Sequence, residues 1–177
     1  QARGLDQFHR ASNMTDQFGA LAALINTSGP ARDEALAAFY ARWRQEALVV
    51  DKWLSLQATA RRPGTLGVVE ALMRHEAFNL RNPNKVRALI GAFAQGNPVH
   101  FHAADGSGYT FLADQVLALN AFNPQIAARL MASFTRWRQY DPIRQAGLRG
   151  QLERILAAPA LSPDVYEIAA KSLGQAV

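Results

Sequence analysis

The sequence predicts an all-α fold of stacked antiparallel helix pairs. Two observations lead there: proline-marked helix starts, and a 3.6-residue apolar period that no sustained strand alternation interrupts. The starts are the pairs Asn82-Pro83, Asn97-Pro98, Asn123-Pro124, Asp141-Pro142 and Ser162-Pro163. An Asn, Asp or Ser side chain accepts from the free N–H groups of a first turn. Proline at the next position gives up only an N–H that had no partner.

The apolar stripes agree. Leu36, Phe39, Tyr40 and Trp43 fall at i, i+3, i+4, i+7, as do Val86, Leu89, Ile90 and Phe93. Leu112, Val116 and Leu119, then Ile126, Leu130, Phe134 and Trp137, continue the pattern, followed by Leu148, Leu152 and Ile155 and by Val165, Ile168 and Ala169. The spacing predicts helices over about 13–27, 31–46, 47–60, 65–75, 83–95, 107–122, 124–139, 142–157 and 163–174. From Pro83 to Pro124, Pro98 to Pro142 and Pro124 to Pro163 the starts recur at intervals of about forty residues, near the period of HEAT or armadillo helix pairs. Short connections make consecutive helices antiparallel neighbours, so the expected architecture is a HEAT/armadillo-like superhelical array, with a plain helical bundle as the alternative.

A length of 177 residues suits one domain, taken as 1–177, and a 49% hydrophobic composition is enough to fold it. No apolar run is long enough to span a bilayer and no signal peptide is legible, so no membrane partner and a cytoplasmic location are expected. The absence of cysteine excludes disulfides, thiolate zinc sites and cysteine nucleophiles. A net charge of +5 raises nucleic acid as a partner, but the arginines are scattered among acids with no basic tail or block. No nucleic-acid partner is therefore expected. Position 1 is Gln rather than Met, which reads as a processed or excised piece.

One stretch imitates a metal site. His75-Glu76-Ala77-Phe78-Asn79 lacks one residue of the HExxH zinc motif, in which two histidines one turn apart share the ion and the glutamate activates its water. Asn79 offers a neutral amide oxygen in place of the second imidazole. A surface or interhelical histidine is the preferred reading of His75. In NPVHFHAADGSGYTF, His100 and His102 lie on one side of an extended chain but on different faces of a helix. Gly106-Ser107-Gly108 reads as a turn capped by Asp105 or Ser107, in a loop whose glycines allow a ligand to approach the backbone closely. No Gly-x-Ser-x-Gly, phosphate loop or second zinc-ligand cluster occurs. No catalytic residue and no metal ligand are therefore assigned.

Arg87 lies beside the Val86/Leu89/Ile90/Phe93 stripe and Arg129 beside the Ile126/Leu130/Phe134/Trp137 stripe. A guanidinium leaving a packed layer at its rim suits bidentate recognition of a carboxylate; an interhelical ion pair or a snorkelling surface residue gives the same spacing.

The strings SNMTDQFGAL, ALAAFYARWRQEALVVDKWLSLQA, NPNKVRALIGAFAQGNPVHFHAADGSGYTFLADQVLALN, NPQIAARL and RQYDPIRQ resemble the C-terminal helical domain of bacterial aminopeptidase N, a zinc metallopeptidase of the gluzincin type. The resemblance covers about Ser12 to Leu173. It implies an excised C-terminal domain without a cofactor of its own, the Zn²⁺ being bound by an upstream domain of the same polypeptide. It implies that the catalytic domain and a peptide substrate are the partners, and that the helical bowl walls off the active-site cavity. By the same resemblance Arg87 and Arg129 meet the carboxylate end of a short peptide, and Asp105 and Tyr109 line that cavity. His75, His100 and His102 receive no role. The alternative is a free-standing helical-repeat module that binds a peptide or protein on its concave face.

Overall fold

The computed structural model describes residues 2–175, and among them it is all-helical with no strand. Gln1 lies outside the described residues. The helices in chain order are α1 (Ala2–Arg10), α2 (Met14–Leu24), α3 (Pro30–Trp43), α4 (Ala47–Ala58), α5 (Thr65–Met73), α6 (Pro83–Val86), α7 (Ala92–Gly96), α8 (Pro98–Phe101), α9 (Ser107–Asn120), α10 (Pro124–Leu130), α11 (Ala132–Thr135), α12 (Pro142–Leu156) and α13 (Pro163–Leu173). A π-helical turn, Arg87–Gly91, joins α6 to α7. A short 3₁₀ turn, Trp137–Gln139, precedes α12.

All five proline pairs start helices with the expected chemistry. Asn82 accepts from Asn84 and Lys85, Asn97 from His100, Asn123 from Ile126, Asp141 from Ile143 and Arg144, and Ser162 from Val165, each with proline in the first turn. Consecutive helices pack on one another: α4 lies against α3, α5 and the α6–α7 rod, α9 against α8, α10 and α12, and α13 against α10, α11 and α12. One buried apolar cluster runs from Phe8 to Ala169. The forty-residue interval reappears as polar contacts between layers. Asn97 reaches Ala58 across 39 residues, Asn120 reaches Ala160 across 40, and Arg154 reaches Asp114 across 40.

The structure departs from the predicted elements in three places. Helix α1 has no predicted counterpart, because only Leu5 and Phe8 of its nine residues are large and apolar; Phe8 alone is buried. The predicted helix over 83–95 contains the π-helical turn. There the Ala92 N–H reaches the carbonyls of Arg87 and Leu89, while the Ala88 carbonyl, four residues back, accepts from Ser55 Oγ of α4 at 2.8 Å. A side chain thus takes the carbonyl that a regular turn would use, which is a recognised cause of a local widening. The predicted helix over 124–139 is interrupted at Met131 and ends at Thr135. Beyond that point the Trp137 indole N–H and the Arg138 guanidinium both donate to the Ser172 carbonyl, at 3.0 and 2.6 Å. Ser172 stands in the last turn of α13, where carbonyls have no intrahelical donor.

Two polar junctions hold the layers in register. Asn97, 1% exposed, donates from Nδ2 to the Ala58 and Ala60 carbonyls at 2.9 and 2.8 Å while its Oδ1 caps α8. Both amide N–H donors and the oxygen are therefore engaged, and the C-terminal end of α4 is tied to the start of α8. Around His102, Nδ1 meets the Tyr109 hydroxyl at 2.9 Å and Nε2 meets the Tyr140 hydroxyl at 3.0 Å. A neutral imidazole has one N–H and one lone pair, so one tyrosine accepts and the other donates. Arg144 Nε donates to the His102 carbonyl at 2.7 Å and its NH1 pairs with Asp141 at 2.6 Å, closing the cluster from α12.

Replacing Asn97 should be costly. Asn97→Ala strands the buried Ala58 carbonyl, takes one of two donors from the Ala60 carbonyl and removes a cap, which should destabilise the fold by roughly 2–4 kcal/mol in denaturant melts. Asn97→Asp keeps the capping oxygen but turns acceptors toward both carbonyls, so it should be at least as damaging. A milder effect of aspartate would show that the cap, not the staple, matters. His102 gives a pH prediction. Burial, then the Arg144 charge, holds the imidazole below its ordinary value. The unfolded chain therefore binds this proton first, so the contribution is full above about pH 6.5 and is lost as pH falls through the lower folded value. Between about pH 7.5 and pH 5 the Tm of His102→Gln should fall less than that of the parent, with equal slopes as the contrary result.

Candidate functional site

Arg87 and Arg129, on separate helices, line one cleft of about 510 Å³. Arg87, Gly91, Ala92 and Gln95 form one wall and Ile126, Arg129 and Leu130 the other, with Gly96 at the end. Ile126, 6% exposed, and Leu130, 2% exposed, anchor α10 in the core, which brings Arg129 between them to the rim. Both arginines are exposed. Arg87 donates from Nε to the Pro83 carbonyl at 3.3 Å and from its terminal nitrogen to Asn84 Oδ1, so its fork is braced by the first turn of its own rod. Among the described residues Arg129 makes no side-chain hydrogen bond, and neither arginine meets a carboxylate. The interhelical ion pair that the spacing also allowed is thus not formed. Among the described residues no acidic one lines the cleft. A larger groove of about 750 Å³ between α5 and α9, by contrast, mixes Glu70 and Asp114 with Arg74. Two guanidinium groups over an apolar floor, with no acid beside them, are arranged to take an anion attached to an apolar body.

Asp105 and Tyr109, the other two residues singled out in the sequence, do not line this cleft. Asp105 accepts from the Ser107 N–H at 3.0 Å and from the Ser107 hydroxyl at 2.7 Å. These bonds hold its carboxyl below the usual range. It fastens the turn before α9, in which Gly106 takes φ +72°, a conformation that favours glycine. Tyr109 is 1% exposed, packed edge-on to Phe101 and bonded to His102, and burial pushes its hydroxyl up to about 12. Its ring is core and its hydroxyl is part of the His102 junction. A Cβ on Gly108 would come within 2.4 Å of the Phe101 carbonyl, so the glycines of this loop serve close packing of α9 on α8.

The imitation zinc motif is a structural turn. His75 Nδ1 accepts from the Ala77 N–H at 3.1 Å and its ring packs against Tyr40 and Trp53. Glu76 accepts from the Tyr40 hydroxyl at 3.0 Å, and Asn79 Oδ1 accepts from the Arg81 N–H at 2.9 Å. Among the described residues no three His, Cys, Asp or Glu side chains gather to hold a metal, so the residues present do not fit zinc. His100 stands apart from His102, with its Nε2 buried and unpartnered among the described residues.

Sequence reasoning missed Gly91 and Gln95 as cleft residues. The signal was available: Arg87, Gly91 and Gln95 are four apart and share one helical face.

The whole chain has relatives of known name. A family model described as a domain of unknown function, DUF3458_C, with ARM repeats matches residues 1–174. Aminopeptidase N of Caulobacter vibrioides is 46% identical over 98% of this chain and 20% of its own length. Aminopeptidase N of Escherichia coli is 45% identical over 94% of this chain and 19% of its own. A crystal structure of Legionella pneumophila aminopeptidase A in complex with aspartic acid superposes with a TM-score of 0.92 at 39% identity, over 98% of this chain and 20% of that one. The chain spans about one fifth of the length of the relatives it matches. The chain belongs to the DUF3458_C family of ARM-repeat domains and is homologous to the C-terminal region of aminopeptidase N.

Proposed function

We propose that this chain, residues 1–177, is the C-terminal domain of a longer cytoplasmic zinc aminopeptidase that releases N-terminal residues from peptides. In this reading the Zn²⁺ and the catalytic groups sit in another domain of the same polypeptide. The helical array closes over them, excludes water and limits which substrates enter. The Arg87/Arg129 cleft takes the carboxylate at the far end of a short peptide. The observation that carries the reading is the pairing of two arginines, from helices about forty residues apart in sequence, in one acid-free cleft. Homology to aminopeptidases supports the reaction class.

The test belongs to the full-length enzyme. Arg87→Ala or Arg129→Ala should raise KM about tenfold or more for di- and tripeptides with a free carboxylate, the loss expected for a charge-assisted hydrogen bond. The effect on aminoacyl anilides, which have no carboxylate, should be markedly smaller. Arg129→Lys should recover only part of the loss, because an ammonium lacks the bidentate fork. Equal effects on peptides and anilides would overturn the carboxylate role.

The isolated chain should show only background hydrolysis of aminoacyl chromogenic substrates with Zn²⁺ added, since no ligand cluster assembles among its described residues. Zinc-dependent turnover by this chain alone would end the reading.

A further inference from the structure

Gly91 sits inside the continuous helical run from Pro83 to Gly96 and is buried in the floor of the cleft. Glycine inside a helix costs stability relative to alanine, so its presence needs a reason. Backbone conformation supplies none: φ −62° and ψ −44° suit any L-residue. Packing supplies none either. A Cβ added at Gly91 would meet nothing nearer than the Val86 carbonyl at 3.8 Å, an ordinary contact. Its cleft neighbour Gly96 is different, since a Cβ there would come within 2.9 Å of the Thr59 methyl. Gly108, the other buried glycine among the described residues, is pressed against the Phe101 backbone. Gly19, Gly67 and Gly150 also face open space, but they lie exposed on their helices, where a cleft is not at stake. What the missing side chain at Gly91 leaves is room between Ala92, Ile126 and Leu130, beneath the two arginines.

We propose that Gly91 is a specificity-determining residue whose bare backbone keeps the cleft floor open for the apolar side chain of a peptide's last residue. The inference rests on the carboxylate reading of Arg87 and Arg129 and adds the substrate class: short peptides ending in an apolar residue. The carboxylate engages the guanidinium groups at the rim and the side chain descends onto Ile126 and Leu130. Leucine at position 91 would project into the space that the substrate side chain needs.

The experiment compares KM in the full-length enzyme for two tripeptides that differ only in ending with leucine or glycine. In the parent the leucine-ending peptide should bind more tightly. Gly91→Leu should shrink that preference at least about tenfold, the scale on which a hydrophobic pocket discriminates a few methylenes. Gly91→Ala should shift it in the same direction while its Tm stays at or above the parent's, since the added Cβ meets no clash. If Gly91→Leu does not fold, the alanine variant decides. An unchanged leucine-to-glycine ratio in a folded variant would overturn the proposal. The carboxylate reading would still stand if Arg129→Ala separates peptides from anilides. If Arg129→Ala makes no such distinction while Gly91→Leu still erodes the preference, the apolar floor survives and the carboxylate contact falls.

Discussion

The arrangement of the array depends on how one buried amide is satisfied. Asn97 is enclosed on all sides and makes three hydrogen bonds, two to carbonyls at the end of α4 and one that starts α8. A buried carbonyl without a donor costs about 1–3 kcal/mol, so layers placed so that both Ala58 and Ala60 are met have few competitors. The Ala60 carbonyl also accepts from Thr65 Oγ1 at 3.0 Å, which draws the start of α5 into the same junction. Two residues before Asn97, Gln95 faces the cleft. The placement of one cleft wall is thus inherited from a hydrogen-bonded joint that has nothing to do with ligand binding.

The other device acting on that wall is Ser55. By taking the Ala88 carbonyl it leaves the Ala92 N–H to bond five residues back, and the turn between Arg87 and Gly91 widens. A widened turn changes the angular relation between the helical segments on its two sides. Arg87 stands at its first position and Gly91 at its last. The two residues given functional weight, one charged and one bare, are therefore set relative to each other by a serine on a neighbouring helix. The clustering of a buried glycine, a π-turn and two arginines with no acid in the lining is what separates this cleft from the wider groove beside α5, which Glu70 and Asp114 line. In that groove Asp114 pairs with Arg154 and the helices are regular.

How much of this was legible depended on whether the signal was local. The five proline-marked starts were read correctly, because a cap and a proline act within one turn and leave their cause in adjacent letters. The forty-residue repeat was legible for the same reason, since it is a spacing of local signals. Helix α1 escaped because its nine residues carry a polar surface with one buried ring, which gives no stripe. The π-turn escaped because its cause, Ser55, lies 33 residues from Ala88. The burial of Tyr109 is not legible locally, because DGSGY reads as an open glycine loop, whereas Gly108 lets α9 press onto Phe101 and carries Tyr109 inward. Arg87 and Arg129 could be marked as rim residues one at a time; that they share a cleft is a long-range fact.

The exposure of the two arginines decides how the cleft can work. In bulk water a pair of unit charges about 4 Å apart gains only about 1 kcal/mol, and at an effective dielectric constant of about 20 the same pair gains about 4. On this chain alone the cleft is open and its guanidinium groups are wet, so a peptide carboxylate would be held weakly there. Nothing in the lining neutralises the charge beforehand, and leaving it unpaired costs little while water surrounds it. Covering the cleft with another domain would remove that water and strengthen the attraction, but only when an anion is present to be attracted; an empty covered cleft would hold two charges with no partner. If the array closes over a catalytic domain as proposed, a surface built in this way would favour closure around a carboxylate-bearing occupant over closure on nothing, the property required of a wall that must admit substrate before it shuts.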